Sequence, residues 1–346
     1  MALLLYPRLV NGPFGDPGLF IDIKWDHRAI LFDLGNNTPL NPSLLLKITD
    51  IFISHTHMDH FIGFDRFLRV ILSHPKTLRF YGPPGLIKNI QGKLSGYTWN
   101  LTGEYELNFE ITELHPDCRQ VVSLKASNGF EPGPFQKLPF TEELLKEPMF
   151  SVFTKVLDHK IPSMAFSLNE RFHININTER LEEMGFPPGE WLRKLKEAVW
   201  ENKSGETLID IPVLGSTDPQ GGPVKEVEKE VKKSFQLKDL EGLYSITKGQ
   251  KISYVVDTLY SPENEEKIVS LAAGSTSFYC ESPFLDRDAH QAAARYHLTA
   301  RQAGILARKS GVDTFHIFHF SPRYAGLEKE IYEEAHKVFK EGIEKL

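Results

Sequence analysis

One stretch constrains this chain more than any other: Ser54-His55-Thr56-His57-Met58-Asp59-His60, directly after the apolar run Ile51-Phe52-Ile53. On an extended backbone, side chains two residues apart share a face. His55 and His57 are therefore expected to project together from a strand end, with Asp59 and His60 following on the turn. Imidazole and carboxylate ligands this close together suit a catalytic metal centre that keeps a coordination position open. A polar loop that merely contains histidines needs no such spacing. Four candidate ligands capping a strand point to two adjacent divalent cations.

Two such cations need partners elsewhere in the chain. Strands are expected over 19–23 and 29–33, separated by the polar turn Trp25-Asp26-His27-Arg28. Phe32-Asp33-Leu34-Gly35 ends the second. A helix is expected over 61–72, with Phe61, Phe64, Leu68 and Ile71 on one side. A strand over 77–81, a helix over 86–94, strands within 105–125 and an irregular Pro/Gly/Phe-rich loop over 129–150 follow. His115 and His159 are both ligand candidates, and His159 is the stronger because it too closes a strand. Further on, Asp257 closes the strand 251–258, and Glu281 lies in the strand 277–284. His297 interrupts the Ala-rich helical region 286–309. His316 and His319 lie on opposite sides of the alternating strand 314–320. Residues 327–346 read as one amphipathic helix.

Residues 170–250 break this pattern. A helix, a Pro187-Pro188-Gly189 bend and a second helix bearing Arg193, Lys194 and Lys196 suggest a surface arm with local positive charge. A Gly/Pro-rich loop over 215–223 follows. The mixed-charge run 225–233 reads as a solvated helix face.

Composition limits the alternatives. At 346 residues the chain can bury a large core, and 41% hydrophobic with 25% charged residues is ordinary for a soluble globular protein. The net charge of -6 provides no global basic field, so a nucleic-acid substrate would need a local positive patch or bound cations. Two cysteines, Cys118 and Cys280, make neither a disulfide scaffold nor a cysteine zinc cluster. The apolar opening Ala2-Leu3-Leu4-Leu5 is too short for a signal-peptide core, and no stretch approaches a membrane span. The expectation is a cytoplasmic protein with no membrane partner.

The pattern His-x-His-x-Asp-His resembles that of the metallo-β-lactamase superfamily. Four further stretches resemble one of its families, ribonuclease Z, the transfer-RNA 3′-processing endonuclease. They are Leu157-Asp158-His159, the Pro-Pro-Gly segment, the Glu281 strand end with the His297-Leu298-Thr299 turn, and His319 with Ser321-Pro322-Arg323-Tyr324. The resemblance implies an α/β chain, a single αββα four-layer sandwich over 1–346. Its insertion at 170–250 would carry an arm that grips transfer RNA outside the active site. It implies His55, His57 and His159 on one metal, Asp59, His60 and His319 on the other, and Asp257 bridging both. Asp33 and Gly35 would support the site from behind. Asp59 would also orient the attacking water, and Glu281 and His297 would pass a proton to the leaving group. Ser321 and Arg323 would contact phosphate. The cofactors implied are two divalent ions, zinc first, with manganese or iron accepted by the same ligands. The implied partners are precursor transfer RNA and a second copy of the chain.

The sequence also departs from that family. It lacks a Gly-rich opening, carries Asn36-Asn37 after Asp-x-Gly, and has Met58, Phe64-Asp65-Arg66-Phe67, Glu190 and Val256 at unusual places. These departures touch substrate contacts more than ligands. They leave open a two-metal phosphodiesterase for a small, cyclic-nucleotide-like substrate. Lactone or thioester hydrolysis is disfavoured by the Glu281/His297 pair and the closing Ser-x-Arg-Tyr. A scaffold on a decayed hydrolase fold would lack ligands, whereas all seven are present.

Overall fold

A computed structural model describes residues 3–24, 26–214 and 230–341. Trp25, the loop expected at 215–223, residues 225–229 of the mixed-charge run and residues 342–346 of the expected C-terminal helix lie outside the described residues. The chain forms two compact units. One comprises Leu5–Leu145, Ser151–Asn169 and Lys251–Leu346; the other comprises Met1–Leu4, Lys146–Phe150 and Glu170–Gln250.

The larger unit is built on two sheets. The first has eight strands in chain order: Leu5–Leu9, Leu19–Ile23, Arg28–Phe32, Ile48–Phe52, Lys76–Gly82, Leu107–Leu114, Cys118–Lys125 and Gln136–Pro139. Its centre, from Arg28–Phe32 to Leu107–Leu114, is parallel, and its flanks are antiparallel. The second has the order Thr314–Phe318, Ser277–Glu281, Lys251–Val255, Pro162–Glu170, Phe150–Asp158 and Glu143–Lys146, with the first three parallel. The sheets meet through aromatic side chains. Phe32 lies 5.2 Å from Phe166 and 5.8 Å from Tyr254, and Phe52 lies 5.6 Å from Phe166.

Parallel strands need crossover helices, and these cover the outer faces. Phe64–Ile71 and Leu86–Leu94 bury Phe64, Phe67, Leu68, Ile87 and Ile90 against Ile51, Ile53, Phe80 and Phe109. On the other side Pro262–Ala272, Ala300–Lys309 and Glu328–Glu341 bury Ile268, Leu306, Ile331 and Ala335 with Phe278, Phe315 and Ile317. The result is the expected αββα layering. The break in the Ala-rich region has a local cause. Thr299 caps Ala300–Lys309 in a reciprocal capping box with Gln302, so a helix starts there.

Some stretches differ from expectation. The region 129–150 is not wholly irregular: Gln136–Pro139 and Glu143–Lys146 are strands. Gln136–Pro139 is an edge strand exposed at every position, so it shows no inward-outward alternation to read. The strand Leu5–Leu9 was also not expected.

The smaller unit has its own core of Leu181, Phe186, Trp191, Leu195, Ile209, Ile211, Leu240 and Leu243. It pairs His173–Ile176 with Tyr244–Thr247, and Leu208–Leu214 with Glu230–Gln236, beside the helices Thr178–Glu183 and Trp191–Trp200. Lys232 and Lys233 therefore lie on a strand rather than on a helix face. Only part of the expected basic cluster is surface charge. Lys196 is 9% exposed, and Arg193 pairs with Glu190 and Glu197 at 2.9 and 3.0 Å. Among the described residues, no helix is long and apolar enough to cross a membrane.

Candidate metal centre

All seven expected ligands meet where strands of both sheets end, the usual place for a site in sheets of this kind. His55, His57, Asp59 and His60 follow Ile48–Phe52 of the first sheet. His159, Asp257 and His319 follow Phe150–Asp158, Lys251–Val255 and Thr314–Phe318 of the second. Their donor atoms form overlapping groups, each within 4.8 Å: His55, His57, His159 and Asp257; then Asp59, His60 and His319; then Asp257, Glu281, His297 and His319. Asp257 Oδ2 lies 3.5 Å from His55 Nε2, 3.4 Å from His60 Nε2 and 3.3 Å from His159 Nε2. Asp59 Oδ2 lies 3.4 Å from His60 Nε2 and 3.2 Å from His319 Nε2.

The backbone is bent to achieve this. Asp33, Asp257 and His319 adopt φ of 58°, 46° and 62°, a left-handed conformation that costs a non-glycine residue about 1 kcal/mol or more. Each lies one or two residues past a strand and turns a side chain into the site. Lys160 and Tyr296, beside His159 and His297, have φ of 64° and 60°. Glycine serves a different need. A Cβ on Gly63 would stand 2.1 Å from the Gly35 carbonyl, and one on Gly35 would stand 2.4 Å from the Asp59 carbonyl. Only glycine lets the Asp33-Leu34-Gly35 turn press against the ligand-bearing helical turn Met58–Phe61.

Behind the ligands, polar partners fix their orientation. The buried Asp33 carboxylate accepts from the Ser54 amide at 2.7 Å and from the Ser54 and Tyr254 hydroxyls at 2.9 Å, and it faces His60 Nδ1 at 2.9 Å. His159 Nδ1 donates to the Tyr296 carbonyl at 2.7 Å. In both histidines Nε2 is thereby turned toward the shared space.

What fills that space is indicated by unmet polar atoms. His60 Nε2, His319 Nδ1 and Asp257 Oδ1 are buried with no hydrogen bond. His319 Nδ1 and Asp257 Oδ1 stand 2.9 Å apart but are misaligned for one. Buried polar atoms are costly to leave unpartnered, and these three belong to the groups of donor atoms that lie within 4.8 Å of one another. A nitrogen-and-oxygen donor set of this kind fits divalent cations.

Charge at the site is divided. Burial, then the neighbouring His60, lowers the His55 pKa to about 2, and burial also lowers that of His57, so both stay neutral and ready to ligate. Burial would lower His60 and His319 as well. It is outweighed by Asp33 and Asp257 for His60 and by Asp257 and Asp59 for His319, and both end well above the usual histidine range.

Beside the ligands stands the second expected pair. Glu281 is buried, and its Oε1 accepts the amides of Thr258 at 3.0 Å and Leu298 at 3.1 Å. Its Oε2 lies 2.9 Å from His297 Nδ1. Burial opposes charge on His297, but the Glu281 carboxylate prevails and raises its pKa. The other expected residues lie apart. His115 pairs with Glu113 at 3.0 Å, and His316 stacks on Tyr279, so neither joins the ligand groups. Arg323 donates to the Gln291 side chain and lies over Phe284, while the Ser321 amide donates to the Pro283 carbonyl at 3.1 Å. Tyr254, which anchors Asp33, was not singled out from the sequence, because a tyrosine inside an apolar strand reads as core.

No family model matches the chain. It is 26% identical over 346 aligned residues to the ribonuclease Z of Deinococcus radiodurans, an alignment covering 97% of this chain and 96% of that protein. Among solved structures, human tRNase Z, short form, has a TM-score of 0.52 at 17% identity over 92% of both chains. A metallo-β-lactamase fold protein from Bacillus subtilis, YhfI, scores 0.54 at 14% identity over 96% of this chain and 92% of that one. The fold is therefore the metallo-β-lactamase fold, and ribonuclease Z is what the chain resembles along nearly its whole length.

Proposed function

From a metallo-β-lactamase fold with relatives named ribonuclease Z, we propose a two-metal phosphodiester hydrolase that cuts precursor transfer RNA at its 3′ end. The observation that carries this reading is the convergence of buried, unpartnered ligand atoms on one space beside the Glu281–His297 pair. His55, His57 and His159 would hold one ion, Asp59, His60 and His319 the other, and Asp257 both. Zinc suits these ligands, and manganese or iron is also accepted. When bound, such ions lower the pKa of water and offset charge on phosphoryl oxygens.

The chain's own groups do the rest. The Asp59 carboxylate is part-exposed at the mouth, where it can accept a hydrogen bond from the attacking water and aim it. His297 carries a proton that Glu281 holds in place, and it delivers that proton to the departing ribose oxygen. Arg323 would exchange Gln291 for a phosphate oxygen, with the Ser321 hydroxyl as a second contact.

The smaller unit would serve as the arm, meeting RNA through the exposed Lys194, Lys232 and Lys233. In a cytoplasmic homodimer, the arm of one subunit would serve the active site of the other.

A second reading has a specific observation in its favour. The insertion has fifteen carboxylates against twelve lysines and arginines, Lys196 is buried and Arg193 is neutralised. A small phosphodiester substrate would need no basic arm. The test is to give the zinc- or manganese-loaded protein a precursor with a 3′ trailer beside a cyclic nucleotide. Cleavage of the precursor at the mature 3′ end supports the first reading. Turnover of the cyclic nucleotide alone replaces it with the second.

A further inference from the structure

Met58 lies between two ligands, yet its side chain is 76% exposed, and Ile62, one turn later, is 47% exposed. Both belong to the short helical turn that begins at Met58, where the Ile62 amide donates to the Met58 carbonyl at 2.8 Å. At about 100° per residue, positions four apart lie on one face, with the position after the first close beside them. That face carries Met58, Ile62 and Asp59, whereas His60 and Phe61 point inward and are buried. The carboxylate of Asp59 is thus bordered by two apolar side chains that leave much of their surface in solvent. Next to this step, Asn89 donates through its carboxamide to Thr56 Oγ1 at 2.6 Å, which places an exposed polar side chain by the residue before His57.

Exposed apolar surface that is continuous with a reaction centre marks a contact for the substrate. A nucleic acid offers one flat apolar group per nucleotide, and faces of bases are recognised by stacking without regard to sequence. Methionine suits this role, because its flexible, polarisable thioether adapts to a ring of any shape.

We infer that Met58 and Ile62 form the platform for the base of a nucleotide adjoining the scissile phosphate, and that they set the preference for nucleic acid over simple phosphodiesters. This rests on the phosphodiesterase reading above and adds to it a base-contacting surface. A bare phosphodiester would engage the metal centre but not the platform.

The experiment compares precursor transfer RNA carrying normal bases with the same RNA made abasic at the nucleotides flanking the cut. Wild type is tested beside the double variant Met58→Ser/Ile62→Ser. In wild type, loss of the bases should raise KM about tenfold, equivalent to ~1.4 kcal/mol, with little change in kcat. In the double variant the same loss should change KM less than about twofold, and Met58→Leu should restore the dependence. An equal base effect in wild type and double variant overturns the inference. So does a double variant that changes oligomeric state on sedimentation, which would make the step an interface between copies. Hydrolysis of bis(p-nitrophenyl) phosphate by the metal-loaded wild type is scored separately. If it is absent along with RNA cleavage, the phosphodiesterase reading itself has failed and this inference falls with it. If it is present while the base effect is equal, only the platform is refuted.

Discussion

Removing the Asp33 carboxylate should damage the metal centre without touching a ligand. In Asp33→Ala, four donors lose their acceptor: the Ser54 amide, the Ser54 and Tyr254 hydroxyls, and His60 Nδ1. His60 Nδ1 can donate instead to the Ser54 hydroxyl oxygen at 3.2 Å, which leaves three. At ~1–3 kcal/mol for each stranded buried group, and with neighbours that do not add fully, the cost is about 4 kcal/mol. That corresponds to a fall in Tm of roughly 10 °C for a unit of this size. His60 also exchanges a carboxylate for a hydroxyl as the group that orients its ring, so affinity for the ion it would hold should fall ~10–100-fold. Asp33→Asn is the milder case. Asparagine tolerates the left-handed φ of 58°. Whichever way its amide points, however, the NH2 meets at least one donor, so ~1–3 kcal/mol is lost. The assay is thermal denaturation of chelator-treated protein, followed by metal titration of each variant. An Asp33→Ala protein that melts within about 2 °C of wild type and still binds two ions tightly would refute the reasoning.

Other outcomes follow from the same geometry. His297→Ala should lower kcat on precursor RNA ~10²–10⁴-fold with metal content retained. It should have far less effect on bis(p-nitrophenyl) phosphate, whose leaving group needs no proton; an equal loss on both would argue against the proton-donor role. Because Asp33 and Asp257 keep protons on His60, and Asp257 and Asp59 keep them on His319, metal binding should expel those protons. Affinity should then rise with pH by up to about tenfold per unit for each proton released. Calorimetry in buffers of different ionisation enthalpy measures this, and a flat profile between about pH 6 and pH 8 counts against it. Gly63→Ala must move the Gly35 carbonyl, which its Cβ would approach to 2.1 Å. It should cost ~1–3 kcal/mol or more and lower metal occupancy, and an unchanged melting curve would contradict this close packing.

Much of the candidate site could be read from the sequence because the residues it brings together sit at strand ends. An apolar run that stops at His or Asp is visible without a structure, as at Ile53-Ser54-His55, Leu157-Asp158-His159 and Val256-Asp257. What could not be read is how each backbone turns. The left-handed φ of Asp257 and His319 usually announces itself through glycine at that very position, and here an aspartate and a histidine adopt it. The role of Tyr254 depends on its hydrogen bond to Asp33, 221 positions away in the chain. The basic look of residues 193–196 overstated their surface charge for a similar reason. Pairing of Arg193 and burial of Lys196 depend on neighbours that residue type does not reveal.

The two sheets contribute to the centre from opposite sides, four candidate ligands from the end of one strand and three from the ends of three others. Ions seated there would act as rivets through the sandwich, fastening halves that otherwise adhere through phenylalanine and tyrosine rings. Stripping them with a chelator should loosen the seam from its upper rim, where amide protons of Ser54, Thr258 and Ser282 would exchange first, while the aromatic layer beneath stays closed.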